Sequence, residues 1–197
     1  LLANLLILLA NLCKININYA IMIKNLCVPY KDFSLWHITQ TWSDGHKAFD
    51  IAKPVGSFGI WLVAMENCIV ENIMGADNLD NGWEYERGFG ILLRSIANPD
   101  VKYSYWHCLP FFPVKIGETV LQGKPIAQMG NSGYVVSGGV VVLYKDKLKP
   151  PYLGTHCHLS CPSDTMDRID FTKEIKFDLL TTIYLTLFSI SNFLKGR

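Results

Sequence analysis

The chain has 197 residues, half of them hydrophobic and only 18% charged, with a formal charge of +1 at pH 7. That length suits one domain with a core of its own, and so weak a field excludes an electrostatic nucleic-acid binder or an acidic interaction tail. Six cysteines (Cys13, Cys27, Cys68, Cys108, Cys157 and Cys161) lie scattered. They lack the paired short spacings of a zinc ribbon and are too sparse for a disulfide-dense miniprotein, so a reduced interior is expected.

Both ends are apolar. Residues 1–21 are expected to lie outside the domain: the run over 1–12 resembles a signal-peptide core but lacks a preceding basic segment and a clear small-residue cleavage site. They also fit sequence ahead of a start at Met22. At the other end, residues 176–197 form an apolar tail in which Asp178 and several Thr and Ser favour a packed or interfacial helix over a membrane span. Membrane association through these ends is therefore not favoured, and the expected domain is 22–175.

From Val28 to Ser43 the composition is mixed and predicts an irregular lead-in. Asp44-Gly45 is a turn signal, and the chain leaving it carries His46 and, four residues later, Asp50. Imidazole and carboxylate are donors that zinc accepts together. Short apolar runs over Ser57–Ala64 and Cys68–Ile73, broken by Met65-Glu66-Asn67, predict two strands and a turn. After a polar loop from Met74 to Glu84, Gly90–Ser95 and Val101–His107 predict two more, separated by the turn Asn98-Pro99-Asp100. This repetition points to an all-β meander rather than a helical bundle or a βαβ sheet.

His107 ends the aromatic strand, with Cys108 expected on the opposite face. A strand-end histidine bonded to backbone would look the same in sequence. Val114 to Gly130 alternates hydrophobic residues with glycine-bearing turns and resembles half of a biotinyl or lipoyl carrier motif, but no lysine is displayed in a tight turn between its strands. Gly130-Asn131-Ser132-Gly133 then forms a glycine-rich turn. The last stretch, Gly154-Thr155-His156-Cys157-His158-Leu159-Ser160, reads as a strand. Alternation directs His156, His158 and Ser160 to one face and Cys157 and Leu159 to the other. Two imidazoles on one strand face suit a metal site in which one ring binds and the other acts on water.

Taken in order, Gly45-His46 to Asp50, Tyr105-Trp106-His107, the Val114–Gly133 hairpin and turn, and Thr155-His156-Cys157-His158 resemble the lysostaphin/LytM-type zinc metallopeptidases, which cut the peptides of bacterial peptidoglycan. The resemblance covers about Thr39 to Ser160. It implies an all-β fold, an antiparallel sheet or β-sandwich-like domain of the duplicated hybrid motif type with a groove holding the metal. It further implies one Zn2+ per chain on His46, Asp50 and His158, with His107 and His156 as the catalytic pair. His156 would take a proton from water and His107 hold the water or the oxyanion, although the two roles could be exchanged. The implied partner is a peptidoglycan peptide and the implied location the cell envelope, the extracellular space or a phage. A zinc-free member that binds peptidoglycan or activates another hydrolase is the alternative. Two features depart from the family pattern. Tyr134 to Leu153 is inserted where the family has a few residues, which predicts an extra hairpin on the groove wall, and Leu159-Ser160-Cys161 stand where it often has an aromatic and an acidic residue.

Overall fold

The computed structural model describes residues 26–31, 33–34, 37–53, 56–75 and 87–162. Both apolar ends, with the helix expected over 176–197, and most of the 74–84 loop lie outside the described residues. Among the described residues, no helix is long and apolar enough to cross a membrane, and Cys27, Cys68, Cys108, Cys157 and Cys161 are free thiols.

The described chain is almost wholly β. Eleven strands appear in the order β1 (Ile38–Gln40), β2 (Phe49–Ile51), β3 (Trp61–Val63), β4 (Cys68–Met74), β5 (Phe89–Ser95), β6 (Lys102–Cys108), β7 (Thr119–Val120), β8 (Pro125–Gln128), β9 (Val136–Ser137), β10 (Val140–Val141) and β11 (Cys157–Ser160). One short helix, α1 (Tyr144–Lys147), follows β10. The large antiparallel sheet runs β1-β2-β11-β6-β5-β4-β7, while β3 pairs with β8 and β9 with β10. The expected meander is present as β4-β5-β6. Its free edge is then taken by β11, which inserts between β6 and β2 and joins the first and last motifs.

Alternation decides which face of this sheet is apolar. Phe49, Ile51, Cys157, Leu159, Tyr103, Tyr105, Ile91, Leu93, Val70 and Cys68 are all buried and belong to one core cluster. Leu62, Ala64, Ile126 and Ala127, in or next to the β3–β8 ribbon, belong to the same cluster. Each large apolar side chain buried in this way contributes about 1.5–3 kcal/mol relative to exposure. Tyr105 keeps its phenol satisfied at the layer boundary by donating to the Val63 carbonyl at 3.0 Å.

Three local readings are corrected. The lead-in from Val28 to Ser43 contains strand β1. The predicted strand over Ser57–Ala64 is regular only at Trp61–Val63, because Gly59 has φ +80° and the Ile60 amide turns back to the Ser57 carbonyl. The 134–153 insertion does hold a hairpin, β9–β10 turning at Gly138-Gly139, but α1 follows it and has no counterpart in the sequence reading.

One close approach sets the geometry of the site. Phe89 pairs with Cys108 and Ile91 with Tyr105, so Gly90 alone stands opposite Trp106 and His107, a β-bulge. A Cβ on Gly90 would lie 2.5 Å from Trp106 Cε3 and 2.8 Å from the Tyr105 carbonyl oxygen. The Trp106 ring therefore covers a position where only glycine fits. Gly90→Ala is expected to lower the unfolding free energy by about 1–3 kcal/mol through overpacking, measured by denaturant titration; an unchanged midpoint would show that the ring moves aside freely.

Candidate active site

The face of the sheet opposite the core carries a ladder of the candidate side chains. Asp50 on β2 is the cross-strand partner of His158 on β11, and His158 is the partner of Trp106 on β6. His156 precedes His158 by two and lies on the same side. His46 reaches the group from the Asp44-Gly45 turn, where the Ser43 and His46 backbones bond each other at 2.9 and 3.0 Å. Sequence and fold thus bring together residues 108 positions apart.

Three donor atoms converge. His46 Nε2 lies 3.2 Å from His158 Nδ1 and 3.2 Å from Asp50 Oδ1, and His158 Nδ1 lies 3.0 Å from Asp50 Oδ1. With His46 in its neutral form, hydrogen bonding alone does not satisfy this triangle. His46 Nδ1 stands 3.3 Å from the Thr41 carbonyl, an acceptor, so it carries the ring proton and leaves a lone pair on Nε2. That lone pair faces the Asp50 carboxylate with no hydrogen between them. A cation at the centre removes the repulsion, and donors around a tetrahedral zinc with bonds of about 2.0–2.1 Å stand about 3.3–3.4 Å apart. The nitrogen–carboxylate–nitrogen set, its spacing and its facing lone pairs all fit a zinc ion. His158 Nε2, the nitrogen that holds the proton when Nδ1 is a ligand, is buried and has no hydrogen-bond partner. The residues after His158 supply none: Leu159 packs in the core, and Ser160 bonds Ser104 across the ladder at 2.6 Å.

Burial pushes the Asp50 carboxyl upward, but the hydrogen bond with His158 and the nearby imidazoles of His156, His158 and His46 outweigh it and bring the group below its ordinary value. Asp50 is thus an anion at neutral pH, the form that binds a cation.

His107 and His156 stand beside the triangle, with ring centroids 4.6 Å apart. His156 Nε2 is 3.8 Å from Asp50 Oδ2. Strict alternation from Trp106 would send His107 to the core side. The bulge opposite Gly90, with His107 in the left-handed region at φ 60°, swings it onto the face that bears His158. Both rings are set by backbone carbonyls: His107 Nδ1 donates to Ser132 at 2.7 Å and His156 Nδ1 to Gly154 at 2.8 Å. Each Nε2 therefore carries a lone pair and is a proton acceptor. Burial, reinforced by the neighbouring His156, lowers His107 to about 3, and burial lowers His156 as well. Both rings are neutral bases near pH 7.

Cys157, between the two histidines in sequence, is fully buried on the core face, and burial pushes its thiol well above the ordinary range. Cys108 is likewise in the core. The fifth histidine, His37, stacks on Tyr30 at 5.7 Å, and its Nδ1 accepts the Ser34 amide. It takes no part in the cluster.

What sequence reasoning missed is the part played by Asn131 and Ser132. Ser132 Oγ donates to the Cys108 carbonyl at 2.7 Å and accepts the Phe89 amide at 2.9 Å, tying β5 to β6 next to His107, while its carbonyl takes the His107 proton. The glycines on either side of Asn131-Ser132 are the visible signal: a Cβ on Gly130 would press on Leu109, so the turn approaches the end of β6 closely.

Neither a family model nor a curated protein matches the sequence. Solved structures match the fold. A zinc-containing peptidase from Vibrio cholerae superposes with a TM-score of 0.52 at 18% identity, over 80% of this chain and 41% of that one. Csd3 from Helicobacter pylori superposes with a TM-score of 0.51 at 15% identity, over 88% of this chain and 42% of its own. LytU superposes with a TM-score of 0.50 at 21% identity, over 73% of this chain and 86% of its own. This chain spans about two fifths of the length of the Vibrio and Helicobacter proteins. The architecture expected from the four ordered motifs is the one observed, and the chain has the all-β fold of the lysostaphin/LytM-type peptidases.

Proposed function

We propose that this protein is a zinc-dependent metalloendopeptidase that hydrolyses peptide cross-links or stem peptides of bacterial peptidoglycan. It would act where that polymer is reached: in the cell envelope, outside the cell or from a phage. The observation that carries the reading is the meeting of His46 Nε2, Asp50 Oδ1 and His158 Nδ1 within 3.0–3.2 Å of one another, beside two neutral imidazoles whose Nε2 atoms are free to accept a proton. The fold it shares with a zinc-containing peptidase agrees with this chemistry.

In this reading His46, Asp50 and His158 hold one Zn2+. When bound, zinc supplies a Lewis acid that lowers the pKa of a water to about 7 and polarises the scissile carbonyl. The remaining work falls to His156 and His107. With Nδ1–H engaged by a carbonyl, each ring begins as an acceptor, so the first act of the pair is to take or hold the proton of the attacking water. The ring that accepts becomes an imidazolium with N–H groups on both sides. It then donates from Nε2, to the oxyanion or to the departing amine, while Nδ1 stays fixed on its carbonyl. His156, next to Asp50, is the better placed to take the proton, because the carboxylate favours its charged form. Trp106 is the cross-strand partner of His158, with the Arg87 guanidinium 5.5 Å above its ring.

Metal content by atomic emission, read with turnover on defined muropeptides, separates the roles. His158→Ala removes one of three ligands and is expected to lose both zinc and activity. His156→Ala and His107→Ala are expected to keep zinc while cleavage falls by about two to four orders of magnitude. If His156→Ala loses its metal while His158→Ala retains it, the assignment is reversed; full activity in all three rejects a hydrolase. A wild-type protein that binds no zinc yet binds peptidoglycan would instead be a zinc-free binding member of the fold.

Cys157 gives an independent check on the strand geometry. Its thiol points into the core, so Cys157→Ala is expected to leave zinc stoichiometry unchanged at a stability cost on the order of 1 kcal/mol. A fall in bound metal would mean that the thiol reaches the site.

A further inference from the structure

Residues 134–153 connect the turn that holds His107 to the segment just before β11 that carries His156, and the root of this insertion is fastened by a buried lysine. Lys147 ends α1, is only 2% exposed, and donates from Nζ to the carbonyls of Asn131, at 3.0 Å, and of Gly133. These two peptides lie on either side of Ser132, whose carbonyl accepts the His107 proton. Asn131, fully buried, works in the opposite direction. Its Nδ2 donates to the Lys147 carbonyl at 2.8 Å and to the Leu153 carbonyl at 2.9 Å. Leu153 precedes Gly154, whose carbonyl accepts the His156 proton.

Burying an ammonium and an amide is costly unless protein groups replace their water, and here the replacements are backbone carbonyls at the base of the site. The Asn131 Oδ1 is buried without a hydrogen-bond partner, so this side chain is held for what its nitrogen does. Gly154 completes the closure. With φ +72° and the Val135 and Val142 side chains 2.9 and 3.1 Å from where its Cβ would be, the two legs of the insertion meet at the residue that anchors His156.

We propose that Lys147 and Asn131 are positioning residues. As a reciprocal latch they fix the peptides around Ser132 and Gly154, and so hold His107 and His156 as Nδ1–H tautomers with Nε2 left as the acceptor. The consequence for turnover rests on the hydrolase reading above; the effect on the tautomers does not.

The test uses the full zinc-loaded chain and the variants Lys147→Met and Asn131→Leu. Four quantities are measured: zinc per chain, kcat and KM on a purified muropeptide, and the imidazole nitrogen–proton correlations that report each tautomer. Zinc is expected to remain at the wild-type level, because the latch touches none of its three ligands. In Lys147→Met, His107 is expected to leave the single Nδ1–H form for a mixture; in Asn131→Leu, His156 is expected to do so. In both, kcat is expected to fall about 10- to 100-fold with KM within about twofold, the pattern of a misaligned base rather than a lost binding contact. A folded variant whose histidine keeps its wild-type tautomer overturns the proposal for that arm, and failure of both variants to fold overturns it altogether, since the pair is then only part of the fold. A wild-type protein that cleaves no muropeptide sinks the hydrolase reading, while the tautomer change still decides the latch.

Discussion

The rung formed by Asp50 and His158 across β2 and β11 is the contact on which the site depends, because it fixes both a register and a charge. An antiparallel pair slipped by one residue would turn His158 into the core and Cys157 out, exchanging a neutral thiol for an imidazole beside the carboxylate. Leu159 against Phe49 and Tyr105, all buried, opposes that slip from the other face of the same strands. The apolar packing below the sheet thus specifies the polar geometry above it. The contact with His158 and the surrounding imidazoles then keep Asp50 ionised despite its burial.

Against this regular ladder, His107 is delivered by an irregularity. A non-glycine residue at φ 60° is strained by about 1–3 kcal/mol, and such strain persists only where the surroundings over-determine it. Several contacts do so here: the His107 amide bonds to the Arg87 carbonyl, its ring to the Ser132 carbonyl, and Ser132 Oγ to both Cys108 and Phe89. Gly90 makes room for Trp106 on the other side of the bulge. The strained residue is the one whose side chain must leave the alternation of its strand to meet the face that carries Asp50 and His158.

These two modes of construction explain what was legible in the sequence. Alternation over His156-Cys157-His158 is a local rule, and the structure follows it: one residue is buried in the core, and its two neighbours face Asp50. Asp44-Gly45 announced its turn for the same reason, since turn chemistry is local. The longer strands β4, β5 and β6 were visible because each carries a short apolar run or an aromatic alternation bounded by turn residues. Strand β1 was not, because Ile38–Gln40 has little apolar pattern and owes its extension to pairing with β2. Nor was α1, whose four residues are too few for a helical period, and whose purpose is to aim Lys147 into the turn at Asn131. A lysine in a Lys- and Pro-rich stretch reads as solvated surface. Only the fold reveals that one of them is buried against carbonyls.

The distribution of the five residues also suggests why this fold tolerates a long insertion at such a place. His46, Asp50 and His158 stand on the tight turn before β2, on β2 and on β11, so the residues proposed to hold the metal depend on that turn and on strand pairing, not on residues 134–153. His107 and His156 depend instead on carbonyls at the two ends of residues 134–153, where a change in loop length is felt first. An insertion there leaves the Asp50–His158 rung untouched but threatens the alignment of both bases. Hydrogen bonds that run from inside the insertion back to its own root counter that threat without asking the strands to change. The exposed apolar side chains of β9 and β10, Val136, Val140 and Val141, lie beyond this root. The hydrogen bonds that orient the two histidines do not involve them.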